Sequence, residues 1–337
     1  MSLVERALKK IQESRAHVAS PAVAHAAGPH TIPLDVAAPR TAAVPPVVTQ
    51  AVQVPRVAPA AARPSQIVHV DRDALRHSEL LPPLSQERQL AGEYRQIKRP
   101  LIANALGRGV PKLPLGERIM VASAMPGDGK TFTSINLALS IALDKDLSVV
   151  LIDADVAKAH VSRTFGLQNS PGLMDLLRDE TLDPDSLILP TDVPGLSLLP
   201  AGKGTETATE LLAGARMEAI AEQISRRDPN RILLFDSSPL LVTSEAIALV
   251  NNVGQIVLVV RAGVTPQSAV LDAIDLLGEG KSVGLVLNQT DEQVRSGYYY
   301  RYGYPEQGRA DRIMAVRNSF SSAGPSTRPR MIGVDGM

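Results

Sequence analysis

Residues 124–131 read AMPGDGKT, which has the residue types and spacing of a phosphate-binding loop with alanine at the first glycine position. Gly127 and Gly129 allow backbone N–H groups to turn inward around phosphate oxygens, and a helix that starts after them adds the positive end of its dipole. Lys130 supplies a positive charge to the β- and γ-phosphates, and Thr131 offers its hydroxyl to Mg²⁺. The predicted nucleotide-binding residues are therefore Gly127, Asp128, Gly129, Lys130 and Thr131.

Three carboxylates end two other apolar runs. Asp153 and Asp155 close the run VVLIDAD at residues 149–155, and Asp236 closes ILLFD at residues 232–236. The carboxyl ends of parallel strands are where ligands bind, so Asp153 and Asp155 could hold Mg²⁺ through water or accept a proton from an attacking hydroxyl. The structural alternative for that pair is an acidic turn that caps the following helix. Asp236 has the Walker B position, which brings a carboxylate near the metal.

Alternating strands and helices must position these residues. Most of the strand runs are almost continuously apolar, which is typical of parallel strands covered on both faces. The pattern predicts an α/β fold, a doubly wound and mostly parallel sheet of the P-loop NTPase type. The predicted strands are Arg118–Ser123, Ser148–Asp153, Leu196–Pro200, Arg231–Asp236, Gln255–Arg261 and Val283–Asn288, and the predicted helices are Lys130–Leu143, Thr207–Ser225, Ser244–Asn251 and Pro266–Leu277.

The regions outside this core have different compositions. A Pro- and Ala-rich stretch gives no helix or strand pattern, and the polar C-terminal tail is expected to be disordered as well. Pro100 is expected to kink or divide the helix that precedes the core. The predicted segments are an amphipathic helix at 1–16, a linker at 17–84, a helix at 85–110, the P-loop domain at 111–290 and a flexible tail at 291–337.

The bulk composition excludes several classes of protein. The chain has 337 residues with 35 Lys and Arg against 35 Asp and Glu, so the zero net charge gives no indication of a nucleic-acid partner. It has no cysteine, which excludes disulfides and thiolate metal sites, and its six histidines show no metal-ligand spacing. No run approaches the roughly 20 apolar residues of a membrane span, and the charged start MSLVER is not typical of a signal peptide. The prediction is a cytoplasmic protein.

Five of the six tyrosines lie in one short window after the last predicted strand. The ten residues from Asn288 to the first of them span about 35 Å when extended, so the segment can carry tyrosines to a neighbouring subunit's site. An aromatic edge strand is the structural alternative, although the interspersed Gly and Arg give it no dry face. The cluster consists of Tyr298, Tyr299, Tyr300, Tyr302 and Tyr304.

Together these motifs resemble the bacterial tyrosine kinases that accompany exopolysaccharide synthesis. The first residues, MSLVERAL, and residues 93–101, EYRQIKRPL, are similar to the exosortase-associated subgroup of these kinases. The similarity runs from about Tyr94 to Tyr304 and rests on PGDGKT (126–131), IDAD (152–155), GLMDLL (172–177), LPAG (199–202), GLVLN (284–288) and the tyrosine cluster.

The resemblance implies an ATP-dependent kinase that phosphorylates its own tyrosine cluster and regulates exopolysaccharide synthesis or export. ATP and Mg²⁺ are the implied cofactors. Asp153 would help to deprotonate the incoming tyrosine, whose ordinary pKa is about 10. The implied catalytic residues are Lys130, Asp153, Asp155 and Asp236, the metal ligands are Thr131, Asp155 and Asp236, and the phosphate acceptors are Tyr298, Tyr299, Tyr300, Tyr302 and Tyr304.

The same resemblance implies partners. These are a transmembrane activator of the polysaccharide co-polymerase type, which would hold the protein at the inner membrane, and further copies of this chain, whose tails are modified in trans. Two departures from the family pattern concern the binding of phosphate or substrate and the oligomerisation of the chain. The acidic pair is often followed by Arg-Arg-Pro or Arg-Lys-Pro, where this chain has Ala157, Lys158 and Ala159. The ring-forming helix often carries Glu-x-x-Arg-x-x-Arg, where this chain has Gly92, Arg95 and Lys98.

Two other functions are compatible with a phosphate-binding loop. A partitioning or septum-positioning ATPase would hydrolyse ATP without phosphorylating itself, but such proteins carry a signature lysine where this chain has Met125, and the tyrosine cluster has no role in them. A non-catalytic scaffold would bind nucleotide and bridge partners through its N-terminal segments. Such a scaffold would tolerate the loss of Lys130 or Asp153, and both residues are present.

Overall fold

The computed structural model describes residues 67–278 and 280–290 and the backbone of the short strand at 317–318. The predicted helix at 1–16, most of the predicted linker and the tyrosine cluster lie outside the described residues. The described helices are α1 (Arg72–His77), α2 (Leu84–Leu106), α3 (Lys130–Ala142), α4 (His160–Thr164), α5 (Leu173–Arg178), α6 (Pro184–Leu187), α7 (Ala208–Ala213), α8 (Ala215–Arg226), α9 (Ser244–Val250) and α10 (Gln267–Leu276). The strands are β1 (Arg118–Ser123), β2 (Ser148–Asp153), β3 (Leu189–Pro190), β4 (Leu196–Leu199), β5 (Arg231–Asp236), β6 (Gln255–Arg261), β7 (Ser282–Asn288) and β8 (Arg317–Asn318).

Within the described residues, the eight strands form one sheet in the order β3-β4-β2-β5-β1-β6-β7-β8. Every neighbouring pair is parallel except β3 and β4, which are antiparallel. Because successive side chains of a strand point to opposite faces, the central strand β1 contributes to two cores. Ile119 and Val121 pack with α2 and α3, whereas Met120 and Ala122 belong to the core that includes α5 and α7 to α10. The predicted doubly wound, mostly parallel fold is confirmed.

The long helix α2 runs from Leu84 to Leu106 without interruption, so of the two expected effects of Pro100, a kink or a division, the division of the helix does not occur. Proline removes one backbone donor from a helix, but apolar residues on both sides of it are fixed by packing. Ile97 and Leu101 are almost fully buried against the sheet. Their burial fixes helical residues on both sides of Pro100.

Residues 67–83 were predicted to be the end of the linker, but they fold against the domain. The Val68 N–H donates to the Pro190 carbonyl (2.8 Å), and the Asp192 N–H donates to the Val68 carbonyl (3.1 Å). Asp71 caps α1 by accepting hydrogen bonds from two backbone N–H groups of its first turn. The side chains of Val68, Val70, Leu75 and Leu81 are buried in the core on the α2 side of the sheet.

Other differences concern short elements. The single helix predicted at Thr207–Ser225 is two helices, α7 and α8, because Gly214 adopts an extended conformation between them (φ −76°, ψ 158°). The prediction did not include α4, α5, α6 or the edge strand β3. Four of the six predicted strands have the observed bounds, and the other two differ by one residue at one end. In the described part of the chain, no helix has both the length and the apolar character that crossing a bilayer requires.

Candidate functional site

The phosphate-binding loop connects the end of β1 to the start of α3, as its sequence predicts. Gly127 and Gly129 have positive φ values of 82° and 97°, a region that other residues rarely adopt. At Gly129 a side chain is also excluded by space, since a Cβ atom would lie 2.0 Å from Asn288 Nδ2. That amide donates to the Asp128 carbonyl (2.9 Å), so the last residue of β7 holds the loop in place.

The Asp128 side chain holds the loop through hydrogen bonds within the protein. Its carboxylate accepts hydrogen bonds from the Met125 N–H (3.1 Å) and from Thr265 Oγ1 (2.7 Å), and the residue is buried. Its side chain is therefore engaged within the protein. We expect Asp128 to influence a bound nucleotide through the conformation of the loop.

Asp236, at the end of β5, lies beside the first turn of α3. Its two carboxylate oxygens accept hydrogen bonds from Thr131 Oγ1 (2.9 Å) and Ser134 Oγ (2.8 Å). Burial raises the pKa of this carboxyl to about 7, and the nearby charge of Asp153 acts in the same direction. Asp236 thus ties the metal-binding candidate Thr131 to the central sheet.

Asp153 ends the neighbouring strand β2, where it is the register partner of Asp236. One of its oxygens, Oδ2, accepts two hydrogen bonds from Ser162, from the backbone N–H (2.7 Å) and from Oγ (2.6 Å). The other oxygen, Oδ1, is buried and has no hydrogen-bond partner among the described residues. Burial raises the pKa of Asp153 to about 6, although the hydrogen bonds from Ser162 oppose this shift.

Lys130 lies among the carboxylates. Burial lowers the pKa of its ammonium group, and the charges of Asp236, Asp155 and Asp128 oppose that shift. Asp155 is buried two residues beyond β2, where its Oδ1 accepts hydrogen bonds from Ser238 Oγ (3.2 Å) and the Lys158 N–H (3.3 Å). The structure therefore brings the predicted residues Lys130, Thr131, Asp153, Asp155 and Asp236 to one edge of the sheet.

These residues offer the kind of ligand that Mg²⁺ prefers, namely hard oxygen atoms. The Thr131 hydroxyl gives its hydrogen to Asp236, which leaves its lone pairs available to a cation, and Asp153 Oδ1 is an unpaired buried acceptor. The described residues contain no group of three or more His, Cys, Asp or Glu side chains that could hold a metal without help. Mg²⁺ fits this site only with phosphate and water oxygens completing its coordination shell, as is usual for this ion.

Several residues of the site were not predicted. Ser162, which fixes Asp153, lies on the five-residue helix α4, for which the sequence gives no periodic signal. Ser134 and Thr265 are equally inconspicuous in the sequence. Asn288 could have been found, because it is a polar residue at the end of an apolar parallel strand, the same signal that identified Asp153 and Asp236.

The five predicted acceptor tyrosines lie outside the described residues, but both flanks of their segment can be placed. Thr290 is buried just after β7, and β7 pairs in parallel with β8. The described residues on both sides of positions 291–316 therefore lie at or beside β7.

No family model matches the chain. It is 30% identical over 187 residues to the putative tyrosine-protein kinase CapB of Staphylococcus aureus, an alignment that covers 55% of this chain and 80% of CapB. It is 31% identical over 188 residues to the tyrosine-protein kinase YwqD of Bacillus subtilis, covering 55% of this chain and 77% of YwqD. Other relatives are much longer: the match to the tyrosine-protein kinase ptk of Acinetobacter johnsonii (31% identity) covers 42% of this chain and 19% of that protein. The chain likewise spans about a quarter (24%) of the putative tyrosine-protein kinase EpsB of Ralstonia solanacearum.

Solved structures with the same fold include the BceF tyrosine kinase domain and the chimerical protein CapA2B2. The BceF domain is 24% identical, with a TM-score of 0.51, over 64% of this chain and 86% of that domain. CapA2B2 is 21% identical, with a TM-score of 0.51, over 67% of this chain and 93% of the chimera. These similarities establish the fold. Because its identity to CapB reaches 30% over four fifths of that protein, the chain belongs to the family of bacterial tyrosine-protein kinases.

Proposed function

We propose that this protein is an ATP-dependent protein-tyrosine kinase that phosphorylates the tyrosine cluster of its own C-terminal tail. The observation that carries the proposal is the unpaired, buried oxygen Oδ1 of Asp153 beside the phosphate-binding loop. A buried acceptor without a partner is costly, and such groups concentrate at functional sites. The hydroxyl of an acceptor tyrosine would supply the missing hydrogen bond.

The nucleotide would be bound by the loop and by Lys130. The backbone N–H groups around Gly127 and Gly129 and the N-terminus of α3 would surround the phosphates, and Lys130 would neutralise part of their charge. Mg²⁺ would be held by Thr131, with Asp155 and Asp236 supporting it through water, and when bound it neutralises the negative charge that phosphoryl transfer concentrates. Family membership and this oxygen-donor set together support ATP and Mg²⁺ as the cofactors.

Asp153 would act as the proton acceptor. Its pKa of about 6 leaves it ionised near neutral pH, and the two hydrogen bonds from Ser162 fix its orientation. A free phenol has a pKa of about 10 and would lose its proton more readily next to Lys130 and a metal ion. The carboxylate would take the phenolic proton as the tyrosine oxygen attacks the γ-phosphorus of ATP, and the bond from that phosphorus to the β–γ bridging oxygen would break to release ADP.

The tail would be modified in trans, by a second copy of the chain, in a homo-oligomer. The eight residues from Thr290 to Tyr298 span about 28 Å at most, which is enough to reach a neighbouring subunit. We further propose that a transmembrane activator of the polysaccharide co-polymerase type holds the protein at the inner membrane, where it regulates exopolysaccharide synthesis or export. Support for this part comes from the family alone.

The direct test is intact-mass and peptide mass spectrometry of the phosphatase-treated chain with and without Mg·ATP. We expect stepwise phosphate additions that map to residues 298–304. Lys130→Met should abolish them, Asp153→Asn should slow them by about a hundredfold or more, and the exposed control Lys112→Met should leave them unchanged. Normal phosphorylation of the Lys130→Met variant would refute the proposed site, and ADP release without phosphate on the chain would favour a positioning ATPase.

A further inference from the structure

A groove of about 820 Å³ lies along α2, away from the phosphate-binding loop. Its lining includes three exposed arginines, Arg95, Arg99 and Arg108, and we call it the basic groove. None of the three has a carboxylate within salt-bridge distance among the described residues. Asp144, which also lines the groove, follows the C-terminal end of α3, whereas the phosphate-binding loop precedes its start about 20 Å away.

The carboxylate of Asp144 does not compete for these arginines. Lys98 is buried beneath the groove, where its Nζ lies 3.0 Å from Asp144 Oδ2 and donates to the Ser140 carbonyl (2.6 Å). Lys98 and Asp144 thus neutralise each other. The charge that remains at the surface of the groove is that of Arg95, Arg99 and Arg108.

The shape of the groove also suits a ligand. Arg95 and Arg99 are four residues apart and therefore share a face of α2, on which Gly92 precedes Arg95 by one turn. A Cβ atom on Gly92 would meet only the Arg95 guanidinium, at 3.7 Å. The absent side chain leaves the guanidinium group open from that direction.

We propose that the basic groove binds the phosphorylated form of residues 298–304, a proposal that rests on the tyrosine kinase function proposed above. Residues 291–337 contain seven arginines against five Asp and Glu side chains, so the net side-chain charge of the unmodified tail has the same sign as that of the groove. Each phosphotyrosine adds a charge of about −1.5 to −2 and three acceptor oxygens, which guanidinium groups bind in pairs. Phosphorylation would reverse the sign of the interaction, and clustered arginines are a common means of recognising phosphorylated segments.

The tail is long enough for this contact. Tyr304 lies fourteen residues beyond Thr290, an extended reach of about 48 Å, compared with the length of about 20 Å that separates the two ends of α3. A phosphorylated tail could therefore occupy the groove of its own chain. It would then be withdrawn from the phosphate-binding loop at which it was modified.

The test uses two synthetic peptides of residues 295–305, one unmodified and one with phosphotyrosine at positions 298, 299, 300, 302 and 304. Their binding to the phosphatase-treated full chain is measured by fluorescence anisotropy, with saturating Mg·ADP to occupy the phosphate-binding loop. We expect the phosphopeptide to bind about tenfold more tightly or better, and Arg95→Gln/Arg99→Gln to lose about that factor. The matched control Arg88→Gln, an exposed arginine of the same helix outside the groove, should change the affinity by less than about twofold.

A second variant tests the groove without removing any arginine. Gly92→Glu would place a carboxylate beside the Arg95 guanidinium and should weaken phosphopeptide binding by about tenfold, while the thermal unfolding temperature and the oligomeric state measured by size-exclusion chromatography are unchanged. Equal affinity for the two peptides, or an equal loss in Arg88→Gln, would overturn the proposal. Binding of phosphatidylserine vesicles through Arg95 and Arg99 without phosphopeptide binding would overturn it in favour of a membrane surface.

The synthetic phosphopeptide separates this inference from the proposed kinase activity. A chain that binds the phosphopeptide through the groove but never phosphorylates itself would refute the proposed function and leave the groove assignment standing. A chain that phosphorylates its tail but does not bind the phosphopeptide would refute the groove assignment alone.

Discussion

Asp153 and Asp236 form a pair of buried carboxylates on adjacent strands, and neither ionises easily. Burial raises the pKa of Asp153 to about 6 and that of Asp236 to about 7, and a nearby negative charge adds to each shift, that of Asp155 for Asp153 and that of Asp153 for Asp236. An acid whose pKa is raised on folding destabilises the folded state once the pH exceeds its unfolded pKa. The loss of stability is complete once the pH exceeds the pKa of the acid in the folded state. The nucleotide-free site therefore becomes less stable as the pH rises from about 4 to about 7, and cations relieve this cost when they bind.

This pair gives a prediction for Asp153→Asn in the nucleotide-free protein. Asparagine keeps an acceptor for Ser162 but cannot ionise, so the substitution should raise the free energy of unfolding by about 3 kcal/mol at pH 8 and by about half as much at pH 5. Urea unfolding at the two pH values measures both gains. Mg·ADP should shrink the gain at pH 8, and equal gains at both pH values would show that the carboxyl is not responsible.

At the scale of elements, the conformation of the phosphate-binding loop depends on contacts from the neighbouring strands β6 and β7. Asn288 ends β7 and donates to the Asp128 carbonyl, while Thr265, four residues beyond the end of β6, donates to the Asp128 carboxylate. The loop is thus fixed by three successive strand ends, β1, β6 and β7. A change in any of these contacts alters the loop without touching the nucleotide.

Gly129→Ala tests this arrangement against a matched glycine. The new Cβ atom would lie 2.0 Å from Asn288 Nδ2 at a positive φ, so we expect the loop to shift and nucleotide affinity to fall by about tenfold or more. Gly127→Ala carries a similar φ but meets no atom within 4 Å, and should cost only the backbone strain of about 1–2 kcal/mol. Fluorescent nucleotide titration and thermal unfolding measure the two effects. Identical losses in the two variants would contradict the role of Asn288.

The elements that the sequence predicts well are those with a long, uniform signal. Apolar runs of six or seven residues with β-branched side chains define most of the parallel strands, and the glycines and Lys130 define the loop between them. The helix α4 lacks such a signal because five residues complete little more than one turn, so Ser162 was not associated with Asp153. The six-residue helix α1 is unpredicted for the same reason. Leu75 is surrounded by polar residues in the sequence, and the residues that it packs against are distant from it along the chain.

At the scale of the whole molecule, residues 67–83 extend the domain beyond the P-loop core. Their buried side chains join the same core as α2 and α3, and Asn136 of α3 donates to the Leu80 carbonyl (2.9 Å). The segment therefore covers the helix that begins at the phosphate-binding loop. Its loss would expose apolar residues of both helices.

Leu75→Ala measures this contribution in the full chain. Leu75 is 3% exposed, so the truncation should lower the free energy of unfolding by about 2–4 kcal/mol. Leu84, which is 70% exposed at the start of α2, is the matched control, and Leu84→Ala should change stability by less than about 0.5 kcal/mol. Chemical denaturation measures the free energy of unfolding of both variants. Equal values for Leu75→Ala and Leu84→Ala would show that residues 67–83 do not unfold cooperatively with the rest of the domain.

The pairing of Val68 beside β3 has a consequence for how the protein can be attached to others. Val68 lies at the β3 edge of the sheet, whereas Thr290, the last described residue before the tyrosines, follows β7 near the other edge. Six spacings between neighbouring strands, about 29 Å in all, separate β3 from β7. A protein that held the chain just before Ile67 would therefore lie at the opposite end of the strand order from the point where the described chain leaves β7.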